Sequence, residues 1–127
     1  MKSESPKNIL LIDNDDYICQ VVQSCIEVFS NWQITTARSG EEGLAASSAV
    51  RPDAILLDMQ MPIMDGFTVI KKLRADPQLA DIPVVLLTAR VDLTEPHKIA
   101  QLGVQGAIAK PFHPTKISSE ISRILGW

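Results

Sequence analysis

The amino-acid sequence predicts a doubly wound α/β fold, in which five helices cover both faces of a five-stranded parallel sheet. Short apolar runs such as NILLI, AILL and VVLL alternate with segments whose apolar residues recur at helical spacing, and this alternation indicates right-handed crossovers between parallel strands. The length of 127 residues fits one domain with a sizeable core. Residues 1–7 are polar and are expected to be a flexible amino terminus, which leaves residues 8–127 as the folded domain.

The first half of the chain predicts two strand–helix units. Residues 8–12 are the first strand and residues 32–37 are the second. Ser39 and Glu42 have the spacing of a capping box, which opens a short Ala-rich helix that ends before Pro52. The first helix carries one continuous apolar stripe, formed by Ile18, Val21, Val22, Cys25, Ile26 and Phe29.

A third strand and helix follow. The apolar run after Asp53 is the strand, which ends on Asp58 before a loop rich in Met and Pro. The fourth strand lies within IPVVLLTA and ends on Thr88. Between them, a helix closed by the Asp76–Pro77 turn is expected to face inward with Phe67, Ile70 and Leu73.

The last third of the chain predicts a weakly amphipathic helix, a short strand and a final helix. Thr94 is expected to cap the fourth helix, whose first turn tolerates Pro96 and whose end is marked by Gly103. GAIA is the fifth strand, and Lys110 follows it. The last helix has a buried stripe of Ile117, Ile121, Ile124 and Leu125.

The composition excludes several classes of protein. Hydrophobic residues make up 46% and charged residues 21%, as in ordinary globular domains, and a net charge of −3 gives no basic surface for direct nucleic-acid binding. We find no signal peptide and no apolar run long enough to cross a membrane, and therefore expect a cytoplasmic protein without membrane contact. Cys19 and Cys25 lack metal spacing and are interpreted as buried, reduced thiols.

Four of the predicted strands end on polar residues of complementary chemistry. These residues are Asp13, Asp58, Thr88 and Lys110. Each alone is compatible with a turn or a helix cap. The carboxyl ends of strands in an open α/β sheet form the crevice where ligands bind, so the four together indicate one shared site.

Two carboxylates, a hydroxyl and an ammonium group suit phosphoryl transfer. Asp13 and Asp58 can hold Mg²⁺, which proteins commonly bind through one or two carboxylates. Asp58 can also act as the nucleophile and form an aspartyl phosphate. Lys110 would then neutralise developing charge, and Thr88 would donate its hydroxyl to a phosphoryl oxygen. This chemistry is that of a phosphorylation switch.

The spacing of these residues, with LLDMQMPIMDG around Asp58 and KPF at Lys110, resembles the receiver domain of response regulators in two-component phosphorelays, and in particular the stand-alone chemotaxis-type regulators. The resemblance implies a flavodoxin-like sheet with strand order 2-1-3-4-5. It implies that Asp58 is the phosphoacceptor, that Thr88 is the switch hydroxyl and that Lys110 contacts the phosphoryl group. It also implies an Mg²⁺ site formed by Asp13, Asp58 and the backbone carbonyl of Gln60, together with a cis peptide bond after Lys110.

The sequence departs from the family pattern at two positions. Asn14 stands where the family commonly has a second acid after the first strand, which weakens this position as an Mg²⁺ ligand. Asp15 is either a substitute ligand or the cap of the first helix. Ala107 stands where the family commonly has an aromatic that moves with the switch hydroxyl, so the output must pass through the fourth helix and the loop before it.

The resemblance implies a single-domain response regulator that takes a phosphoryl group from a histidine kinase or a histidine phosphotransfer protein. Such a protein is a signalling switch with self-catalysed phosphoryl transfer and autodephosphorylation, and not a conventional enzyme. Its target would bind the face formed by the fourth helix, fifth strand and fifth helix. Gln60 and Arg90 flank the acceptor and are expected to tune phosphoryl lifetime, with an ordinary solvated charge as the alternative for Arg90. The alternatives are a degenerate receiver that binds proteins constitutively, or a receiver excised from a larger regulator or hybrid kinase.

Overall fold

The computed structural model describes residues 6–127, so most of the predicted flexible amino terminus at residues 1–7 lies outside the described part. Five strands and five α-helices alternate along the chain, and short 3₁₀ turns lie at Val91–Thr94 and Pro114–Lys116. The elements are β1 Asn8–Ile12, α1 Asp16–Phe29, β2 Gln33–Ala37, α2 Gly40–Val50, β3 Ala54–Asp58, α3 Gly66–Ala75, β4 Val84–Thr88, α4 Pro96–Leu102, β5 Gly106–Ala109 and α5 Ile117–Leu125.

The five strands form one parallel sheet in the order β2-β1-β3-β4-β5, which confirms the predicted topology. Ile12 pairs with Leu57, and Thr88 pairs with Ala109. The residues that follow β1 and β5 therefore lie beside the last residues of β3 and β4. This register brings all four predicted site residues to one edge of the sheet.

The core has two apolar layers, one on each face of the sheet. Successive side chains of a strand point to opposite faces, so Leu10 and Ile12 pack with α3 while Ile9 and Leu11 pack with α1 and α5. All five residues of β3 and of β4 are buried. The central strands are thereby held rigidly, and the groups at their ends have fixed positions.

Three helices begin with the side-chain caps that their sequences favour. Asp15 caps α1 by accepting hydrogen bonds from the backbone N–H groups of the helix's first turn, and Asp65 caps α3 in the same way. Ser39 caps α2 as predicted, by accepting from the Glu42 N–H, while the Glu42 side chain accepts from the N–H of Arg38, one residue before the cap, and not from that of Ser39 as in a full capping box. Of the two roles considered for Asp15, the structure shows the helix cap.

The predicted cap of the fourth helix is wrong. Thr94 ends the preceding 3₁₀ turn, and its hydroxyl donates to the carbonyl of Val91 at 2.6 Å. Glu95 occupies the N-cap position without a side-chain hydrogen bond, and the threonine hydroxyl, used within the 3₁₀ turn, does not cap the helix. Pro96 begins the helix, and Gly103 follows it with a left-handed φ of 71°, both as predicted.

Two aromatic side chains predicted to face inward are exposed. Phe67 lies at the start of α3 and is 37% exposed, while Ile70 and Leu73 of the same helix are buried as predicted. Phe29 ends α1 and is 52% exposed. Both residues lie at helix ends, beyond the span of the sheet that buries the middle turns.

The two cysteines are free, as expected, but only one is fully buried. Cys19 lies in the core between α1 and the sheet, and Cys25 is half-buried. Burial raises the pKa of the Cys19 thiol to about 11, so the thiol stays protonated at neutral pH. Within residues 6–127, no helix combines the length and the apolar character that a membrane crossing requires.

Candidate functional site

The centre of the site is an ammonium group held between two buried carboxylates. Lys110 Nζ donates to Asp13 Oδ2 at 3.2 Å and to Asp58 Oδ1 at 3.3 Å. The side chains of Asp13 and Asp58 are 0% and 6% exposed, and that of Lys110 is 21% exposed. Buried like charges repel each other strongly, so the single cation is needed to hold this pair together.

A backbone N–H group also holds each carboxylate in place. Asp13 Oδ1 accepts a hydrogen bond from the N–H of Asp15 at 2.9 Å, and Asp58 Oδ1 accepts one from the N–H of Gln60 at 3.2 Å. Both are Asx turns, in which an aspartate side chain accepts a hydrogen bond from the backbone N–H two residues later. Asp58 Oδ2 accepts no hydrogen bond from the described residues and is therefore the oxygen available for chemistry.

The environment of Asp58 disfavours its charged form. Burial raises the pKa of this carboxyl above the ordinary 3.8, and the negative charge of Asp13 raises it further. The Gln60 N–H and the Lys110 ammonium oppose this rise without cancelling it. The folded protein thus holds an unfavourable charge at this position, as expected for a site built for reaction and not for stability.

Replacing Asp58 with asparagine should raise the free energy of unfolding at pH 7 by about 1 kcal/mol or more. The variant removes the repulsion with Asp13, while Lys110 keeps Asp13 as its partner. Because the folded-state pKa of Asp58 is raised, the parent regains this stability as pH falls through that pKa, and fully below about 3.8. The advantage should therefore be largest at neutral pH and shrink in acid.

Urea unfolding at a series of pH values measures this difference. Asp81→Asn, which alters an exposed acid, is the matched control and should change stability by less than about 0.5 kcal/mol. A variant at Asp58 that is less stable than the parent at pH 7 would show that the buried pair is stabilising.

Thr88 completes the edge of the site at the end of β4. Its side chain is buried, and its Oγ1 accepts a hydrogen bond from the N–H of Arg90 at 3.0 Å. A hydroxyl that accepts through its oxygen still has its own proton to donate. The N–H of Lys110 donates to the carbonyl of Thr88 at 2.8 Å, which ties the ends of β4 and β5 together.

The oxygen donors at the site fit Mg²⁺. Asp13 and Asp58 supply two hard carboxylates, and the Gln60 carbonyl is a third candidate ligand. Asn14 is exposed and contributes no charge, and Asp15 is engaged as a helix cap. Among residues 6–127, no group of three or more His, Cys, Asp or Glu side chains is arranged to hold a metal. The site therefore offers this ion two carboxylates, those of Asp13 and Asp58.

The structure brings together the four strand-end residues predicted from sequence and also shows contacts that were not predicted. The Lys110–Pro111 peptide bond is cis, which confirms the expectation from the resemblance. Arg90 pairs with Asp92 and stacks over Phe67 at the rim of the site. An i to i+2 pair of opposite charges was the only signal in the sequence for this cluster.

Comparison with known proteins shows which family the chain belongs to. Residues 9–122 match the model of the response regulator receiver domain. The chain belongs to this family. Receiver domains are signalling switches that histidine kinases phosphorylate, and they bind Mg²⁺ in the active site.

Three similar proteins illustrate the range of this family. RpaA of Synechocystis sp., a DNA-binding dual master transcriptional regulator, is 33% identical over 117 residues, or 92% of this chain and 48% of RpaA. Chemotaxis response regulator CheY4 of Vibrio cholerae is 28% identical with a TM-score of 0.84, over 94% of this chain and 99% of CheY4. The receiver domain of sensor histidine kinase PA1611 from Pseudomonas aeruginosa shares the fold, with 24% identity, a TM-score of 0.81 and coverage of 97% of this chain and 100% of that domain; its structure has magnesium coordinated in the active site cleft. The chain spans about half the length of the first curated relatives it matches.

Proposed function

We propose that this protein is a single-domain response regulator, with its receiver unit at residues 8–127, that works in the cytoplasm. It accepts a phosphoryl group on Asp58 from a histidine kinase or a histidine phosphotransfer protein. The observation that carries this proposal is the Lys110 ammonium 3.2 Å from Asp13 and 3.3 Å from Asp58 Oδ1, because it places a cation beside a carboxylate whose other oxygen, Oδ2, accepts no hydrogen bond from the described residues.

The residues of the site have separate roles in the transfer. A carboxylate oxygen of Asp58 forms a bond to phosphorus, and the bond from phosphorus to the donor's imidazole nitrogen breaks. Lys110 neutralises charge on the phosphoryl oxygens, and Thr88 donates its hydroxyl to one of them. Bound Mg²⁺ would neutralise further charge there, held by Asp13, Asp58 and the Gln60 carbonyl.

The phosphorylated protein then changes the surface that it presents to a protein target. We assign this output to the face formed by α4, β5 and α5. Ala107 provides no aromatic side chain to move in response to Thr88, so the change passes through the Val91–Thr94 turn into α4. The net charge of −3 favours a protein partner over nucleic acid.

Incubation with Mg²⁺ and acetyl phosphate, followed by intact-mass measurement, tests the proposal. The parent should gain the mass of one phosphoryl group, and Asp58→Asn should gain none. Asp53→Asn, which changes the acid just before the opposite end of the same strand, is the matched control and should be phosphorylated like the parent. A parent that gains no phosphoryl mass at any Mg²⁺ concentration would overturn the proposed function.

A second candidate is a degenerate receiver that binds its partner constitutively. The neutral Asn14 favours it, because it leaves one carboxylate fewer to bind Mg²⁺. The small Ala107 also favours it, because it provides no aromatic side chain to move with Thr88. The chain covers about half the length of the first curated relatives it matches. A third candidate is therefore a receiver within a larger regulator or hybrid kinase. The acetyl phosphate assay separates the degenerate receiver from the other two.

A further inference from the structure

A cluster at the rim of the site connects Thr88 to the turn before α4. The N–H of Arg90 donates to Thr88 Oγ1 at 3.0 Å. The guanidinium of Arg90 forms two hydrogen bonds to Asp92, from Nη2 at 2.8 Å and from Nε at 3.2 Å. It also stacks over the ring of Phe67, 5.8 Å from the ring centroid.

Phe67 connects this cluster to the backbone that follows the acceptor. It follows Gly66, whose N–H donates to the carbonyl of Met59, the residue after Asp58, at 3.2 Å. A Cβ on Gly66 would lie 2.7 Å from the Met59 Cα and 3.0 Å from the Asp58 carbonyl oxygen, so the start of α3 packs directly on the end of β3. The Arg90 guanidinium therefore lies between the end of β4 and the start of α3.

The pairing of Arg90 with Asp92 is exchangeable. The side chains are 44% and 48% exposed, and exposed ion pairs contribute little to stability. A phosphoryl group carries up to about two negative charges and offers the oxygen geometry that a guanidinium binds in a bidentate manner. A phosphoryl group and the Asp92 carboxylate are thus alternative partners of the kind that a guanidinium binds.

We propose that Asp92 is a positioning residue that holds Arg90 away from the acceptor, and that a phosphoryl group on Asp58 draws Arg90 from it. This inference rests on the proposed function. Asp92 lies within the Val91–Thr94 turn, so its release frees the segment that leads into α4. The cluster thereby couples a change at Thr88 to α4, a coupling that an aromatic side chain at position 107 would otherwise provide. Arg90 is already expected from the family resemblance to affect phosphoryl lifetime; Asp92 controls that effect by holding the guanidinium away from the phosphoryl oxygens, where it would obstruct the approach of water.

The rate of hydrolysis of the acetyl-phosphate-loaded protein tests this inference. In that step a water oxygen bonds to phosphorus, the Asp58 oxygen leaves, and the water's proton passes to solvent. Asp92→Asn should slow the decay about two- to tenfold, because Arg90 no longer has a competing partner. The same substitution in an Arg90→Ala background should have no effect, which a purely structural role of Asp92 would not predict.

Two further variants control this experiment. Asp92→Glu keeps the carboxylate and should return the decay rate toward the parent value. Glu95→Gln removes an exposed acid from the same loop and should leave the decay unchanged. Equal decay of Asp92→Asn and the parent, or an equal change in the Arg90→Ala background, would overturn the inference alone. A parent that takes no phosphoryl group would overturn the proposed function and this inference together.

Discussion

Replacing Lys110 with methionine should slow the phosphorylation of Asp58 by acetyl phosphate at least about 100-fold. Methionine keeps the length and apolar stem of the side chain but removes the ammonium between the two carboxylates. Charge then develops on the transferred phosphoryl oxygens without a protein cation to neutralise it. Loss of the ammonium also removes an interaction that lowers the pKa of Asp58, so a smaller fraction of this carboxyl is ionised and able to attack.

The time course of phosphoryl adduct formation by intact mass measures this effect. Lys116→Met is the matched control, because Lys116 is exposed in the Pro114–Lys116 turn, and it should react at the parent rate. Far-ultraviolet circular dichroism should show that both variants fold. A folded Lys110→Met that reacts within about threefold of the parent would mean that the ammonium only holds the carboxylates together.

Replacing Asn14 with aspartate should strengthen Mg²⁺ binding about tenfold or more, because a hard divalent cation responds strongly to the number of carboxylates around it. The substitution restores the acid that the family commonly carries after the first strand. Isothermal titration calorimetry with Mg²⁺ measures the affinity directly. Without the metal, the added charge lies next to Asp13, so the variant should also be less stable than the parent.

Asn31→Asp provides the matched control for this change. Asn31 is exposed in the connection between α1 and β2, at the opposite end of the sheet from Asp58. It adds the same charge, so any gain from net charge alone would appear in both variants. An Mg²⁺ affinity that is the same in Asn14→Asp and the parent would show that residue 14 does not contribute to the metal site.

The fold was predictable because its strongest signals are local. Residues 54–58 and 84–88 are apolar until their last residue, and strands buried on both faces require that composition. Which side chains of a helix are buried was less predictable. A periodic stripe does not show where the sheet beneath the helix stops, so Phe29 and Phe67 were predicted inside and are exposed at helix ends.

Much of the candidate site was predictable for a related reason. Parallel strands bring their carboxyl ends to one edge, so Asp13, Asp58, Thr88 and Lys110 had to lie near one another. Which hydrogen bonds they form depends on loop geometry that sequence spacing does not specify. Asp15 and Thr94 show this, because both have the chemistry of a helix cap and only Asp15 acts as one. The pairing of Arg90 with Asp92 depends on the same loop geometry.

The most direct test of Asp58 as the phosphoacceptor is to locate the phosphoryl group chemically. Borohydride reduces an aspartyl phosphate to homoserine, so the parent is loaded with Mg²⁺ and acetyl phosphate, reduced, digested and sequenced by mass spectrometry. We expect homoserine at position 58 and unmodified aspartate at Asp13, Asp15 and Asp16. Homoserine at any of those three positions, or at none, would contradict the assignment of Asp58.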